Sequence, residues 1–158
     1  MKTSIFQHLA KPFQLFLVIL GINAQAHSAQ AEVFTGATST KDHFNVIFHV
    51  DSDSSAAMKK TLNNIKNLLV DPRTKGKIQV ELIANSKGFG IYKKGNGLEA
   101  DLKALDEQGV ILAECQNTLR ELKVAPDSLY SFVKLVPSGM GELVIRQSEG
   151  WAYIHPSP

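Results

Sequence analysis

From Phe44 onward the chain switches back and forth between two hydrophobic periods. Phe44 to Asp51 (FNVIFHVD) is a nearly continuous apolar run, the pattern of a strand covered on both faces. Met58, Leu62, Ile65 and Leu69 then recur at helical spacing, behind a Ser/Asp-rich entry at Asp51 to Ser55 and ahead of an Asp71-Pro72 stop. Ile78 to Ala84 predicts a second strand. Leu98, Leu102 and Leu105 mark a helix closed by Gly109, Val110 to Ala113 a strand running into Glu114 and Cys115, and about Asn117 to Lys123 a third helix. Ser131 to Val136 reads as a further strand and Trp151 to Ile154 as a last, short one. Between them, Gly139 to Glu149 predicts a helix with Met140, Leu143 and Val144 inward and Gly150 at its end. Strands alternating with helices in this way imply right-handed βαβ units. The expected fold is therefore α/β: a three-layer α/β/α sandwich with a mainly parallel five-stranded sheet.

The first thirty-one residues follow a different rule. Lys2 and Lys11 form a positive region, Leu15 to Leu20 the centre of a short apolar one, and Ala24-Gln25-Ala26 and Ala29-Gln30-Ala31 are small-residue cleavage patterns. Residues 1–31 are thus expected to be a cleavable signal peptide, cut after Ala26 or Ala31. Residues 32–42, small and polar, make a flexible lead-in to a domain at 43–158. The apolar stretch from Phe13 to Ile22 is about half of the ~20 residues a spanning helix needs, so no permanent membrane anchor is expected. Without an Arg-Arg pair or a lipid-accepting cysteine after the apolar region, the route is Sec-type export to the periplasm.

Composition narrows the function classes. With 158 residues, 44% hydrophobic and 20% charged, the chain has the make-up of an ordinary globular domain. Seventeen Lys and Arg stand against fifteen Asp and Glu, and removing Lys2 and Lys11 with the leader leaves fifteen against fifteen. A mature protein without net charge or a run of like charges has no field to draw it to nucleic acid. An exported protein also meets few nucleotide cofactors, and no cofactor is expected.

The chain has a single cysteine, Cys115, so neither an internal disulfide nor a C-x-x-C redox pair is available. Ligands of open parallel sheets bind beyond the carboxyl ends of the strands. The loops there are Asp51 to Asp53, Asn85 to Gly97, Cys115 to Thr118 and Pro137 to Gly139. Amide groups of a helix starting near Asn117 favour a thiolate or a persulfide anion at Cys115. The alternative is an inert buried thiol packed as a small hydrophobe. The glycine-rich segment NSKGFGIYKKGNG, residues 85–97, is too long for a G-x-G-x-x-G phosphate loop and reads as a mobile lid or subunit contact. Its Phe89, Ile91 and Tyr92 are apolar side chains for a neighbouring subunit to cover. His49 and Asp51 share a strand face, but no further His/Cys cluster completes a metal site. A core histidine satisfied by a neighbour is the expected state of His49, and no metal is expected. As turn and N-cap residues, Asn85 and Asn117 need no function.

Five segments, taken together, resemble those of exported DsrE/DsrF-like proteins. They are FHVDSD from Phe48, IAN from Ile83, CQNTL from Cys115, VPSG from Val136 and GWAYI from Gly150. The resemblance covers about residues 44 to 156. It implies an α/β/α domain with a parallel sheet, assembly into homotrimers or homohexamers, and sulfur relay through a persulfide on the cysteine matched by Cys115. The relay members are cytoplasmic, so this chain's sulfur donor and acceptor do not follow from the likeness. Two function classes stand side by side. One is a sulfur carrier or sulfurtransferase-like protein with Cys115 as catalytic nucleophile and Asp51, Asn85, Asn117, Ser138 and Gly139 shaping a substrate pocket. The other is a non-catalytic oligomeric binding module with a structural cysteine.

Overall fold

The computed structural model describes residues 33–157. The expected signal peptide, residues 1–31, lies outside the described residues. The chain divides into two units, residues 1–36 and 37–158, and every element below belongs to the second.

The order of elements is β1 (Phe44–Val50), α1 (Ser55–Val70), β2 (Ile78–Ala84), a 3-10 segment (Ser86–Tyr92), α2 (Glu99–Glu107), β3 (Ile111–Cys115), α3 (Gln116–Glu121), a 3-10 turn (Pro126–Ser128), β4 (Lys134–Val136), α4 (Gly139–Ser148) and β5 (Ala152–Ile154). The five strands lie in the order β4-β3-β2-β1-β5. All four pairings are parallel, as the alternation of periods requires. α1 starts where the Ser54 hydroxyl accepts the Ala57 N–H, and it stops at Asp71 before Pro72.

The inner strands β1, β2 and β3 are largely apolar on both sides because both sides are covered, whereas the edge strands β4 and β5 are mostly exposed. On one face Val46, Phe48, Val50, Leu82 and Leu112 pack against Leu62 and Ile65 of α1, Leu102 and Leu105 of α2 and Leu119 of α3. Leu62, Ile65, Leu102 and Leu105 are at most 1% exposed, and burying each is worth roughly 1.5–3 kcal/mol. On the other face Ile47, Ile83 and Ala113 pack against Leu143 of α4 and Trp151. Three helices therefore occupy one face and α4 the other.

The structure departs from the sequence expectations in three places. In α4 only Leu143 of the three expected inward residues is buried; Met140 is 53% and Val144 67% exposed. The cause is a buried charge. Glu81 of β2, 1% exposed, bonds Arg146 Nε at 2.8 Å, and Arg146 also pairs with Glu142 at 2.9 Å and lies 4.3 Å over the Trp151 ring. Bringing Arg146 and Leu143 onto the sheet fixes the rotation of α4 and leaves Met140 and Val144 outside. A buried carboxylate without its cation would be far costlier than an exposed methionine.

The second departure is the segment after β2, which is a folded cap and not a lid. Ile91 and Tyr92 are fully buried in the chain's own core, so they offer nothing for a neighbouring subunit to cover. The Tyr92 hydroxyl donates to Leu82 O at 2.5 Å, and Asn96 donates to Gly90 O and Ile91 O at 2.8 and 2.6 Å. Gly88 is required by contact: a β-carbon there would stand 2.1 Å from Val50 O. The third departure is β4, which begins only at Lys134 because Tyr130 to Val133 closes a turn, with Val133 N–H donating to Tyr130 O at 3.1 Å.

Candidate functional site

The direction in which each strand leaves the sheet creates the site. β3 and β4 are neighbours, but β3 runs into α3 on one face and β4 into α4 on the other. Such a divergence opens a crevice at the strands' carboxyl ends, the usual ligand position in open parallel sheets. Cys115 is the last residue of β3, in register with Val136, and it stands at this divergence.

Cys115 is 5% exposed and occupies the N-cap position of α3. Gly139, the first residue of α4, closes the other side: a β-carbon on Gly139 would lie 3.2 Å from the β-carbons of both Cys115 and Asn85 and 3.5 Å from Asn85 Nδ2. The absent side chain lets the backbone amide approach the sulfur. Burial opposes ionisation of the thiol and is the largest single influence. The Gly139 amide, the Thr118 amide and hydroxyl and the Asn117 amide together outweigh it, and the thiol lies below its ordinary range. The Thr118 hydroxyl oxygen accepts the Ser86 N–H at 2.8 Å, which leaves its proton to donate elsewhere.

The remaining expected residues divide. Asn85, at the end of β2, is 7% exposed and its Oδ1 pairs with His49 Nε2 at 3.1 Å. Asn117 contributes its backbone amide, while its side chain accepts from Arg120. Ser138 caps α4, its hydroxyl accepting the Gly141 N–H at 3.2 Å. Asp51 turns toward His155 Nε2, at 3.1 Å, and is not among the groups that act on the Cys115 thiol. His49 is satisfied on both ring nitrogens, its Nδ1 lying 2.9 Å from the Tyr153 hydroxyl. Its ring also stacks on His155 at 4.9 Å. Among the described residues no group of three or more His, Cys, Asp or Glu side chains is placed to hold a metal ion.

Glu114 adds an electrostatic condition. Its side chain is fully buried and both carboxyl oxygens lack a hydrogen-bond partner among the described residues. Burial pushes its pKa to about 9, with the nearby Cys115 amide opposing. The neutral acid therefore predominates at pH 7, and it places no negative charge beside the thiol.

A family model described as the DsrE/DsrF-like family matches residues 45–156. The chain belongs to the DsrE/DsrF-like family. A solved structure, that of protein MTH1491 of Methanobacterium thermoautotrophicum, described as a protein of unknown function, is 35% identical with a TM-score of 0.67; the match covers 72% of this chain and 99% of that one. No curated protein matches. The five-stranded all-parallel sheet with its helices is thus the fold the strand pattern predicts, and it matches that of a solved relative.

The sequence places Cys115 at a strand end and Gly139 at a helix start, as observed, but does not point to Thr118, Tyr153 or His155. Thr118 carried a local signal, since the third residue of a helix is where a side chain and an amide both face the N-cap. The His49 pairing with Tyr153 spans 104 positions, and no local pattern reports it.

Proposed function

We propose that this DsrE/F-like protein is a sulfur carrier or sulfurtransferase-like protein that holds a persulfide on Cys115. One observation carries the reading: the sole cysteine sits at the β3/β4 divergence with amide and hydroxyl donors around its sulfur and a neutral acid behind it. The Cys115 thiolate attacks the sulfane sulfur of a persulfide or polysulfide donor. A new S–S bond forms at Cys115, the donor's S–S bond breaks, and its electron pair leaves with the donor thiolate. An acceptor thiolate attacking the outer sulfur regenerates the Cys115 thiolate. Sulfur moves at the zero-valent level, so neither an external oxidant nor a reductant is needed.

The reading extends to place and assembly. The leader-like pattern of residues 1–31 supports work in the periplasm after Sec-type export. The outward side of α4 supports a homotrimer or homohexamer: Met140, Val144 and Ile145 are 53%, 67% and 53% exposed, a grouping that a second copy of the chain would cover. No helix among the described residues is long and apolar enough to cross a membrane.

Alkylation tests the thiol. In the folded protein, iodoacetamide is expected to modify Cys115 with a pH profile displaced below that of a free cysteine. A thiol that reacts only after unfolding would instead support the binding module with a structural cysteine.

A further inference from the structure

The sulfur crevice has a polar wall that neither the cysteine nor the helix ends explain. Asn85 is 7% exposed, and the one hydrogen bond of its side chain among the described residues is that of Oδ1 to His49 Nε2. Its Nδ2 has no hydrogen-bond partner among the described residues, and it lies 3.5 Å from the point a Gly139 β-carbon would occupy, itself 3.2 Å from the Cys115 β-carbon. This nitrogen is not among the side-chain atoms sealed from solvent without a partner, so it is open to a ligand in the crevice. Its position beside Cys115 makes a sulfur anion on that residue a fitting acceptor for it.

The amide's direction is set from behind. Asn85 Oδ1 only accepts, so His49 Nε2 must carry a proton. The opposite nitrogen, Nδ1, then accepts from the Tyr153 O–H at 2.9 Å. This tautomer needs a neutral ring, and burial, the largest influence on His49, favours one by lowering its pKa.

We infer that His49 is a positioning residue: held in one tautomer by the Tyr153 hydroxyl, it anchors Asn85 Oδ1 so that Asn85 Nδ2–H donates to the sulfur anion on Cys115. The inference rests on the sulfur reading above and extends it from backbone donors to a side-chain line running Tyr153, His49, Asn85, Cys115. The other ionisable groups around this line are Glu114 behind the cysteine and the Asp51–His155 pair against the outer face of the His49 ring.

The test is the pH profile of Cys115 alkylation by iodoacetamide in the full chain and in His49→Phe, His49→Gln and Tyr153→Phe. His49→Phe removes the anchor and is expected to displace the profile to higher pH. The expected rate loss near pH 6.5 is about threefold, because fewer thiolates are partly offset by the greater nucleophilicity of a more basic one. His49→Gln, whose amide also donates to Oδ1, is expected to keep the wild-type profile. Tyr153→Phe frees the second tautomer, lets the Asn85 amide turn over and should displace the profile in the same direction as His49→Phe. Tyr153 is 42% exposed, so this variant decides the matter if His49→Phe does not fold. Unchanged profiles in His49→Phe and Tyr153→Phe, with a reactive wild-type thiol, would overturn the positioning role and leave the sulfur reading standing. A wild-type thiol silent until unfolding would remove both.

Discussion

At the scale of single residues, the site depends on two neighbours in β3 whose side chains point to opposite faces. Cys115 faces the crevice and is surrounded by donors that favour its anion. Glu114 faces the core and, with its pKa near 9, holds its proton there. Its carboxyl pKa is higher folded than unfolded, where it is near 4.5. The native state therefore binds the extra proton between those limits. Its stabilising influence is complete below about 4.5 and is lost as the pH rises through about 9. Glu114→Gln, neutral at every pH, should flatten this dependence by up to about 1.4 kcal/mol per pH unit, the slope of one proton. Urea unfolding at pH 5 and pH 8.5 checks it. The variant is expected to gain on the wild type at the higher pH, and parallel stabilities at both values would contradict the assignment. Cys115 and Gly139 were legible in the sequence as a lone thiol at a strand end and a glycine at a helix start. The role of Glu114 was not, because a carboxylate inside an apolar strand shows neither its face nor its neighbours.

At the scale of elements, most of the architecture followed from periodicity. β1 and β2 are buried on both faces, and their largely apolar runs, broken by Asn45 and His49 in β1 and by Gln79 and Glu81 in β2, show it. α1 carries its stripe at Met58, Leu62 and Ile65 together with a serine cap and a proline stop. The failures have a common physical origin in contacts between distant parts of the chain. The rotation of α4 is decided by Glu81, sixty-five positions before Arg146, and not by its own apolar residues, which is why Met140 and Val144 read as core. The cap after β2 looks like a mobile glycine-rich loop until Gly88 is seen against Val50 O. There the glycine serves a close backbone approach and not flexibility. Once Ile91 and Tyr92 are buried within the chain, the case for assembly passes from that loop to the outer side of α4.

At the scale of the whole molecule, the strand order β4-β3-β2-β1-β5 gives the cysteine its setting. Alternation alone predicts a parallel sheet but leaves the order open, and so also where neighbouring strands diverge. With β3 and β4 feeding helices on opposite faces, the crevice and the single cysteine coincide. α4 faces the crevice at Gly139 and presents Met140, Val144 and Ile145 outward, so assembly through α4 would bring subunits together beside the sulfur site. Light scattering of the protein is expected to give a trimer or hexamer, and Val144→Glu is expected to lower the mass toward the monomer without loss of helical signal. A wild-type monomer at micromolar concentration would refute assembly and leave the thiol chemistry untouched. If the proposal holds, folded Cys115 accepts and keeps one sulfane sulfur. Intact mass after incubation with inorganic polysulfide measures this: the added mass of one sulfur atom is expected on the wild type, with removal by dithiothreitol and none on Cys115→Ser. No adduct on the folded wild type, or an equal adduct on Cys115→Ser, would contradict it.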